Sequence, residues 1–567
     1  MTESRKARTC AVLAAFVVAG FLVSHVQDVC ACDVPKAAGE KVGPLKPKGI
    51  QGLPPVGVLG ISLPLGVSQV SGFPRASSTW SCGAALYCQI DDAGVTQEVL
   101  VPCTAESPQY ACSQIQRCYD SMWVMKSGGV NAKGFPVTIN GHPCSCLAVA
   151  DIDGDSKPEI AIGSDINPPS GARNPDSRVY AFNSDGTAVS GFPKEVNRGP
   201  IPGGICLVDL DGDSAPEILF GTAGWAEGTT PRAGKLTALN ADGTYITGWN
   251  KSPDGYQVVN SPAVGNLLDG ENFPGNEVVF VVRAFFNTPS GYRYPSRVIA
   301  FKRDGTQLDT YDLGDEQADR AATMSSPAIG KILTYINMAI KSNIVVCSGA
   351  DKGASPANGK IWVLHLVPNG QSATITYDWS YETTAQDCDS RPDEFRSDPV
   401  IADLDNDSQN EIVAHSAEGT LCVVDRVNAQ WVVTPQVTIE CGTRLMRDAS
   451  ALVWDLDTCD STLEIVVCNR AFEDEQASER SLLVYQYNGL SQQLTELYEI
   501  GPFEADIEMT PALGDIDGDD KTDIVVQPLT GGLIYCLEFD DSDYDSGINS
   551  SGWACMGRNA ARTHCAD

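Results

Sequence analysis

The chain has 567 residues, 43% of them hydrophobic, which allows one large or several ordinary domains with a substantial core and excludes global disorder. Its 73 acidic and 39 basic side chains leave a net charge of −34. A surface of that sign excludes nucleic acid as a partner, since a polyanion needs a basic footprint, and it suits cation-rich surroundings outside the cell.

The first segment, residues 1–31, reads as a secretory signal. Arg5, Lys6 and Arg8 precede the apolar run CAVLAAFVVAGFLVSHV, and small residues follow. The run falls short of the roughly 20 apolar residues that span a bilayer. The alternatives are a retained anchor or a lipid-bearing Cys32; once the signal is removed, no other segment could enter a membrane. Residues 32–66 are rich in Pro and Gly and read as a linker. The chain carries 20 cysteines, which in an exported protein point to disulfides. Five of them lie between Cys82 and Cys118, where a stapled region is expected. The absence of any CxxC pair argues against a zinc ribbon.

From residue 67 onward the chain repeats itself. DIDGDSKPEI at 151 returns as DLDGDSAPEI at 209, DLDNDSQNEI at 403 and DIDGDDKTDI at 515. A stretched copy, DLDTCDSTLEI, starts at 455, and eroded copies start at 89, 266 and 331. A short apolar run precedes the motif (SPAVGN, SPAIGK, TPALGD), a β-branched run follows it (EIAIGS, EILFGT, EIVVCN), and a third run often ends in Asp-Gly or Asn-Gly. Segments such as KGFP, SGFP and TGWN close several units. Alternating apolar residues ended by Asp-Gly are hairpin signals, so each unit predicts four short antiparallel strands. That is a propeller blade, and the units predict an all-β propeller of seven or eight four-stranded blades over residues 67–567. The segment VSQVSGFP (67–74) is a fourth strand without a blade of its own, placed to close the ring with the last unit.

Carboxylates this crowded repel one another unless a cation sits among them. Calcium takes about six to eight oxygen ligands, and alternate side chains of a tight loop can face one centre. In the first loop Asp151, Asp153 and Asp155, the carbonyl of Lys157 and Glu159 form the expected shell. The second would use Asp209, Asp211, Asp213, Ala215 and Glu217; the third, Asp403, Asp405, Asp407, Gln409 and Glu411; the fourth, Asp515, Asp517, Asp519, Lys521 and Asp523. A fifth would use Asp455, Asp457, Asp460 and Glu464, with an inserted residue that disturbs its geometry. An EF-hand needs Gly at position 6, Glu at position 12 and flanking helices, none of which occurs here. Asp and Gly also make plain turns, but four copies with the same acids at the same offsets favour Ca2+, and magnesium would demand stricter octahedral geometry.

The acidic motif, its flanking strands and the GFP-like segment together resemble the FG-GAP repeat of integrin α-subunit propellers and the related VCBS repeats of bacterial surface proteins. The resemblance covers nearly everything after residue 66, and SGWACMGRNAARTH (551–564) is similar to the tail that follows the last blade in bacterial members. It implies a calcium-decorated propeller whose metal loops join first and second strands. It further implies that the loops joining second and third strands gather on the opposite face, where ligands are met. On that rim Trp225, Arg283, Phe285, Phe286, Tyr292, Arg293 and Tyr294 are the expected contact residues.

No GxSxG, HExxH, P-loop or strand-linked GxGxxG is present. Five histidines occur, and His365 and His415 fall in strand patterns, as do Cys206, Cys422 and Cys536, all expected to be packing residues. The expectation is therefore a secreted or cell-surface, non-enzymatic module for adhesion or ligand binding, with an extracellular protein or glycan as partner. The alternatives are a polysaccharide lyase on a calcium-decorated propeller and a passive surface module.

Overall fold

The computed structural model describes most of the chain from Leu63 to Ala566, within the unit Ala37–Asp567. The longer stretches not described are 1–62, 105–118, 165–176, 317–324, 350–358, 384–394, 472–479 and 543–564. The expected leader (1–31), nearly all of the lead-in (32–66) and the tail 551–564 therefore lie outside the described residues.

Each repeat unit folds as one antiparallel sheet, and there are eight. Their innermost strands are three residues long: Leu86–Cys88, Ala148–Ala150, Cys206–Val208, Ala263–Gly265, Ala328–Gly330, Val400–Ala402, Leu452–Trp454 and Ala512–Gly514. These begin blades I to VIII in chain order. In blade II, Ala148–Ala150, Glu159–Ser164, Ser177–Phe182 and Lys194–Val196 pair in sequence, each antiparallel to the next. In blade III the fourth segment is reduced to the bridges Leu236–Lys251 and Leu239–Tyr245. The strand Val67–Gln69 pairs with Leu533–Phe539 of blade VIII, Val67 opposite Phe539, so the orphan segment near the start closes the ring. Cys565–Ala566 adds a short parallel strand to the inner edge of blade V.

The core lies between neighbouring blades, because both faces of each sheet are covered. The second strand of blade II, EIAIGS, is buried at every position, as expected of a β-branched run with no solvent face. Between blades III and IV, Trp249 packs against Phe301 with ring centroids 5.6 Å apart, and Phe280 meets Phe301 edge-on at 6.3 Å. Such aromatic pairs contribute about 0.5–1.5 kcal/mol beyond the area they bury.

Two devices stitch blade to blade. Just before the innermost strands, main-chain amides donate to a small side chain of the next blade. Gly204 N donates to Ser261 Oγ (2.6 Å), Ser261 N to Ser326 Oγ (3.1 Å) and Ser326 N to Asp398 Oδ1 (2.5 Å). Asp398 N then donates to Ser450 Oγ (3.2 Å), and Ser450 N to Thr510 Oγ1 (2.8 Å). This belt is what the repeated Ser or Thr before "PA" is for. Near the outer edge, the glycines of the GFP segments at 134 and 191 lie against the hairpin turn of the following blade. A Cβ on Gly191 (φ +95°) would stand 2.1 Å from the carbonyl oxygen of Asp242, and one on Gly134 (φ +89°) 1.8 Å from that of Asp185.

The expected disulfide framework is not found: among the described residues there is no disulfide, and Cys347 and Cys468 are buried thiols within second strands. Cys206, Cys422 and Cys536 are core residues, as their strand positions predict. Their side chains fill separate interblade cores, too far apart in the sheet order to bridge. Cys82, Cys112 and Cys118 of the expected stapled region lie outside the described residues. Among the described residues the helical content is one 3-10 turn, Ser127–Gly129, and no helix is long and apolar enough to cross a membrane.

Candidate metal centres

The acidic motifs occupy the loops between first and second strands, so the sheet delivers them to one face. In blade II, Ala150 and Glu159 are partners in the ladder, and the eight residues between them must turn within one strand spacing. Ile152 anchors that turn in the interblade core, fully buried, while Gly154 (φ +77°) and Ser156 (φ +69°) supply the left-handed steps. Leu210, Leu404 and Ile516 anchor the equivalent loops.

Within each loop the carboxylates order the backbone. Asp151 accepts from the amides of Gly154 (2.8 Å) and Ser156 (2.9 Å), and Asp155 from that of Lys157 (2.8 Å). Asp209 takes the amides of Gly212 (2.5 Å) and Ser214 (3.2 Å), and Asp515 those of Gly518 (2.6 Å) and Asp520 (3.1 Å). Asp403 accepts from Asp407 (3.0 Å) and Ser408 (2.9 Å).

Three oxygens then converge in each of four loops, all within 4.8 Å of one another: Asp151, Asp153 and Glu159; Asp209, Asp211 and Glu217; Asp403, Asp405 and Glu411; Asp515, Asp517 and Asp523. The third aspartates, Asp155, Asp213 and Asp407, stand outside these groups and accept the amides of Lys157, Ala215 and Gln409. Asp519 accepts from Lys521 N (3.1 Å) and also joins Asp517 and Glu538 in a further group. The Lys521 ammonium stands there, 2.9 Å from Glu538 Oε1. In the stretched copy, Leu456 N donates to Glu464 (2.7 Å) and Asp457 N approaches Asp455 Oδ1 (3.3 Å). Asp460 lies outside the described residues, and the described acids of that loop form no close group.

The last acid of the motif has a role that sequence reasoning missed. Glu159 Oε2 accepts the amide of Ile152 at 2.7 Å, and Glu217, Glu411 and Asp523 do the same for Leu210, Leu404 and Ile516 at 2.6–2.8 Å. The eroded loops keep the bond. Glu98 takes Ile90 N (2.9 Å), Glu277 takes Leu267 N and Leu268 N (2.9 and 3.0 Å), and Asn343 Oδ1 takes Leu333 N (2.9 Å). An acceptor at this place caps the loop in every blade, with or without the other acids. Its signal was the retained acid or amide in motifs that had otherwise decayed.

The electrostatics fit a hard cation. Burial pushes the carboxyls of Glu159 and Glu217 up to about 7, Asp523 to about 8 and Glu411 to about 10, with the neighbouring aspartates adding to the effect. Burial, then Asp407, Asp425 and Asp403, raises Asp405 to about 6. Asp405 Oδ1 and Asp523 Oδ1 are buried oxygens with no hydrogen-bond partner among the described residues. All-oxygen donors with buried, unsatisfied lone pairs match Ca2+, which would neutralise the charge that otherwise forces protons onto these groups.

The expected contact rim is placed in part. Trp225 and Phe285 lie outside the described residues. The stretch expected to be an irregular loop is instead a β-hairpin: Phe286–Thr288 pairs with the start of Gly291–Phe301, Phe286 opposite Arg293 and Asn287 opposite Tyr292, with Tyr294 next along that strand. Arg283 ends the preceding strand, and its main chain exchanges hydrogen bonds with Gln257 (2.6 and 3.0 Å). His365 and His415 are packing residues, as expected. His415 is buried and its Nε2 lies 2.6 Å from the carbonyl oxygen of Ala449.

No family model matches the chain, and no curated protein matches it. Solved structures do. The Bacillus licheniformis rhamnogalacturonan lyase PL11 aligns over 88% of this chain and 96% of its own, with 14% identity and a TM-score of 0.35. Saccharomyces cerevisiae Sqt1 aligns over 83% and 99%, with 12% identity and a TM-score of 0.44. The Fusarium graminearum α-L-arabinofuranosidase Arb93A aligns over 65% and 96%, with 13% identity and a TM-score of 0.30. At such identities the likeness is one of fold. It nevertheless corrects the expectation of a non-enzymatic chain: a lyase and an arabinofuranosidase stand among these matches, so missing catalytic motifs do not exclude catalysis on this framework.

Proposed function

We propose that the chain is an exported β-propeller of the FG-GAP type in which Ca2+ holds the acidic loops of blades II, III, VI and VIII, and whose loop rim engages an extracellular protein or glycan. The observation that carries this reading is the recurrence of one three-carboxylate group at the same offsets in four blades of eight. Each group stands on a loop whose backbone it also orders. The role of the ion is structural: it lets carboxylates that repel one another close a tight turn. The basic, then apolar, start of the chain supports export.

The test is equilibrium dialysis of the purified chain against calcium, with thermal unfolding in calcium and in EGTA. About four ions per chain are expected, with a higher Tm in calcium, since a ligand bound only by the folded state stabilises it by RT ln(1 + [L]/Kd). No uptake at millimolar calcium, or a Tm indifferent to EGTA, ends the reading. A glycan and surface-protein screen, run with calcium and again with EGTA, tests the partner.

A further inference from the structure

On the face that carries the acidic loops, a cleft of about 430 Å3 opens between blades III and IV. It is lined by Asp211 of the blade III loop, Thr247, Asn272, Phe273 and Glu277, and by Lys302, Arg303 and Asp304 of the blade IV hairpin turn. Arg303 is held in a slot between two glycines: a Cβ on Gly212 would stand 3.1 Å from its Nη2, and one on Gly275 2.9 Å from its Cδ. Arg178, Arg297, Arg426 and Arg480 each reach an acceptor. The Arg303 guanidinium has no hydrogen bond or ion pair among the described residues. In a chain with nearly twice as many acids as bases, a preplaced and unpaired guanidinium stands out. Lys302 is occupied, its Nζ donating to Asn272 O (2.9 Å) and lying 5.0 Å from the centre of the Phe273 ring. Asp304 beside it accepts the amide of Thr306 (2.7 Å) and faces Lys302 and Lys251.

We infer that this cleft binds a carboxylate-bearing sugar, with the planar guanidinium of Arg303 taking the carboxylate. Arg303 presents a fork of donors that matches a carboxylate bidentately. Thr247 and Asn272 offer exposed groups for hydroxyls, and the volume is that of a small-ligand site. The inference rests on the calcium reading of blade III, because the ion offsets the acids of the Asp209 loop that would otherwise repel an anion.

The experiment is calorimetric titration of the calcium-loaded chain with digalacturonate, with galactobiose and inorganic phosphate as comparisons, and with calcium uptake counted in parallel. Saturable binding of digalacturonate is expected, at least tenfold weaker for galactobiose and weakened by salt. Arg303→Gln should weaken it at least tenfold with the calcium count unchanged, and Gly275→Ala, which crowds the slot, should weaken it in the same direction. No digalacturonate binding by a chain that takes up calcium overturns this inference alone. Equal binding by Arg303→Gln, or phosphate binding as well as the sugar acid, also overturns it. So does Arg303→Gln tightening calcium without affecting the sugar, because the arginine would then serve only the acidic loop. A chain that takes up no calcium fails the earlier reading instead.

Discussion

Blades II and IV have the same strand order and the same capping glutamate, yet of the two only blade II gathers a close group of three carboxylates. In blade II, Glu159 closes a group with Asp151 and Asp153, and the third-strand residue beyond the Ile160–Phe182 pair is neutral Asn183. In blade IV Asn266 and Leu268 stand where the first two aspartates would be, and the remaining Asp269 is paired with Lys341 (2.8 Å). Glu277 still caps two amides, and the residue beyond the Val278–Phe301 pair is Lys302. Blade I repeats the second arrangement: Lys126 Nζ lies 3.6 Å from Glu98 Oε1. A capping acceptor is thus a requirement of the turn, and where it is a carboxylate its charge is met in different ways. The acidic blades gather further carboxylates around it, whereas blade I supplies an ammonium from the neighbouring strand; in blade IV the corresponding Lys302 is turned to Asn272 O and the Phe273 ring. Blade V avoids the charge altogether, with Asn343 as the cap, inside a network where Asp378 accepts from the Tyr335 hydroxyl (2.6 Å) and lies 2.9 Å from His365 Nδ1.

The largest test of this contrast is pH. A carboxyl whose folded pKa lies above its unfolded value keeps its proton in the folded state after the unfolded chain has released it. Between those values stability falls as pH rises. Glu159, Glu217, Glu411 and Asp523 all move upward, and so does Glu277, to about 7. In EGTA the Tm is expected to drop by several degrees between pH values of about 5 and 8. Calcium should remove most of that slope by holding the four acidic loops deprotonated, leaving the share of Glu277. A chelated chain whose Tm rises over the same interval would contradict the assignment.

Removing the cap comes next. Glu277→Ala strands the amides of Leu267 and Leu268 and is expected to cost about 3 kcal/mol, equally in calcium and in EGTA. Asp153→Asn in blade II should lower stability only in calcium. Urea unfolding of both variants in both buffers decides the matter; a calcium-dependent cost for Glu277→Ala would mean that blade IV also holds an ion. The smallest effect is that of Lys126→Met, which removes the ammonium beside buried Glu98. Because this lysine is partly exposed, a loss of about 1 kcal/mol is expected, unaffected by calcium. A neutral outcome would show that the pair contributes nothing and that blade I tolerates its acid unaided.

What the sequence determined by itself is the repeat. The strands, the turns and the acidic offsets are local features with fixed periods, and they carried the all-β propeller, the position of the loops between first and second strands, and the closing strand at 67–69. The tertiary structure decided what depends on residues distant in the chain. The count of eight required the pairing of Val67–Gln69 with Leu533–Phe539. The belt from Gly204 to Thr510 required each blade to meet the next. The Lys126–Glu98 pair depended on which side chain the neighbouring strand sets beside the cap, and the unpaired Arg303 emerged only when two blades had closed a cleft around it. Local spacing specifies a loop's donors, but the charge that those donors face is set by the strand and the blade packed against them.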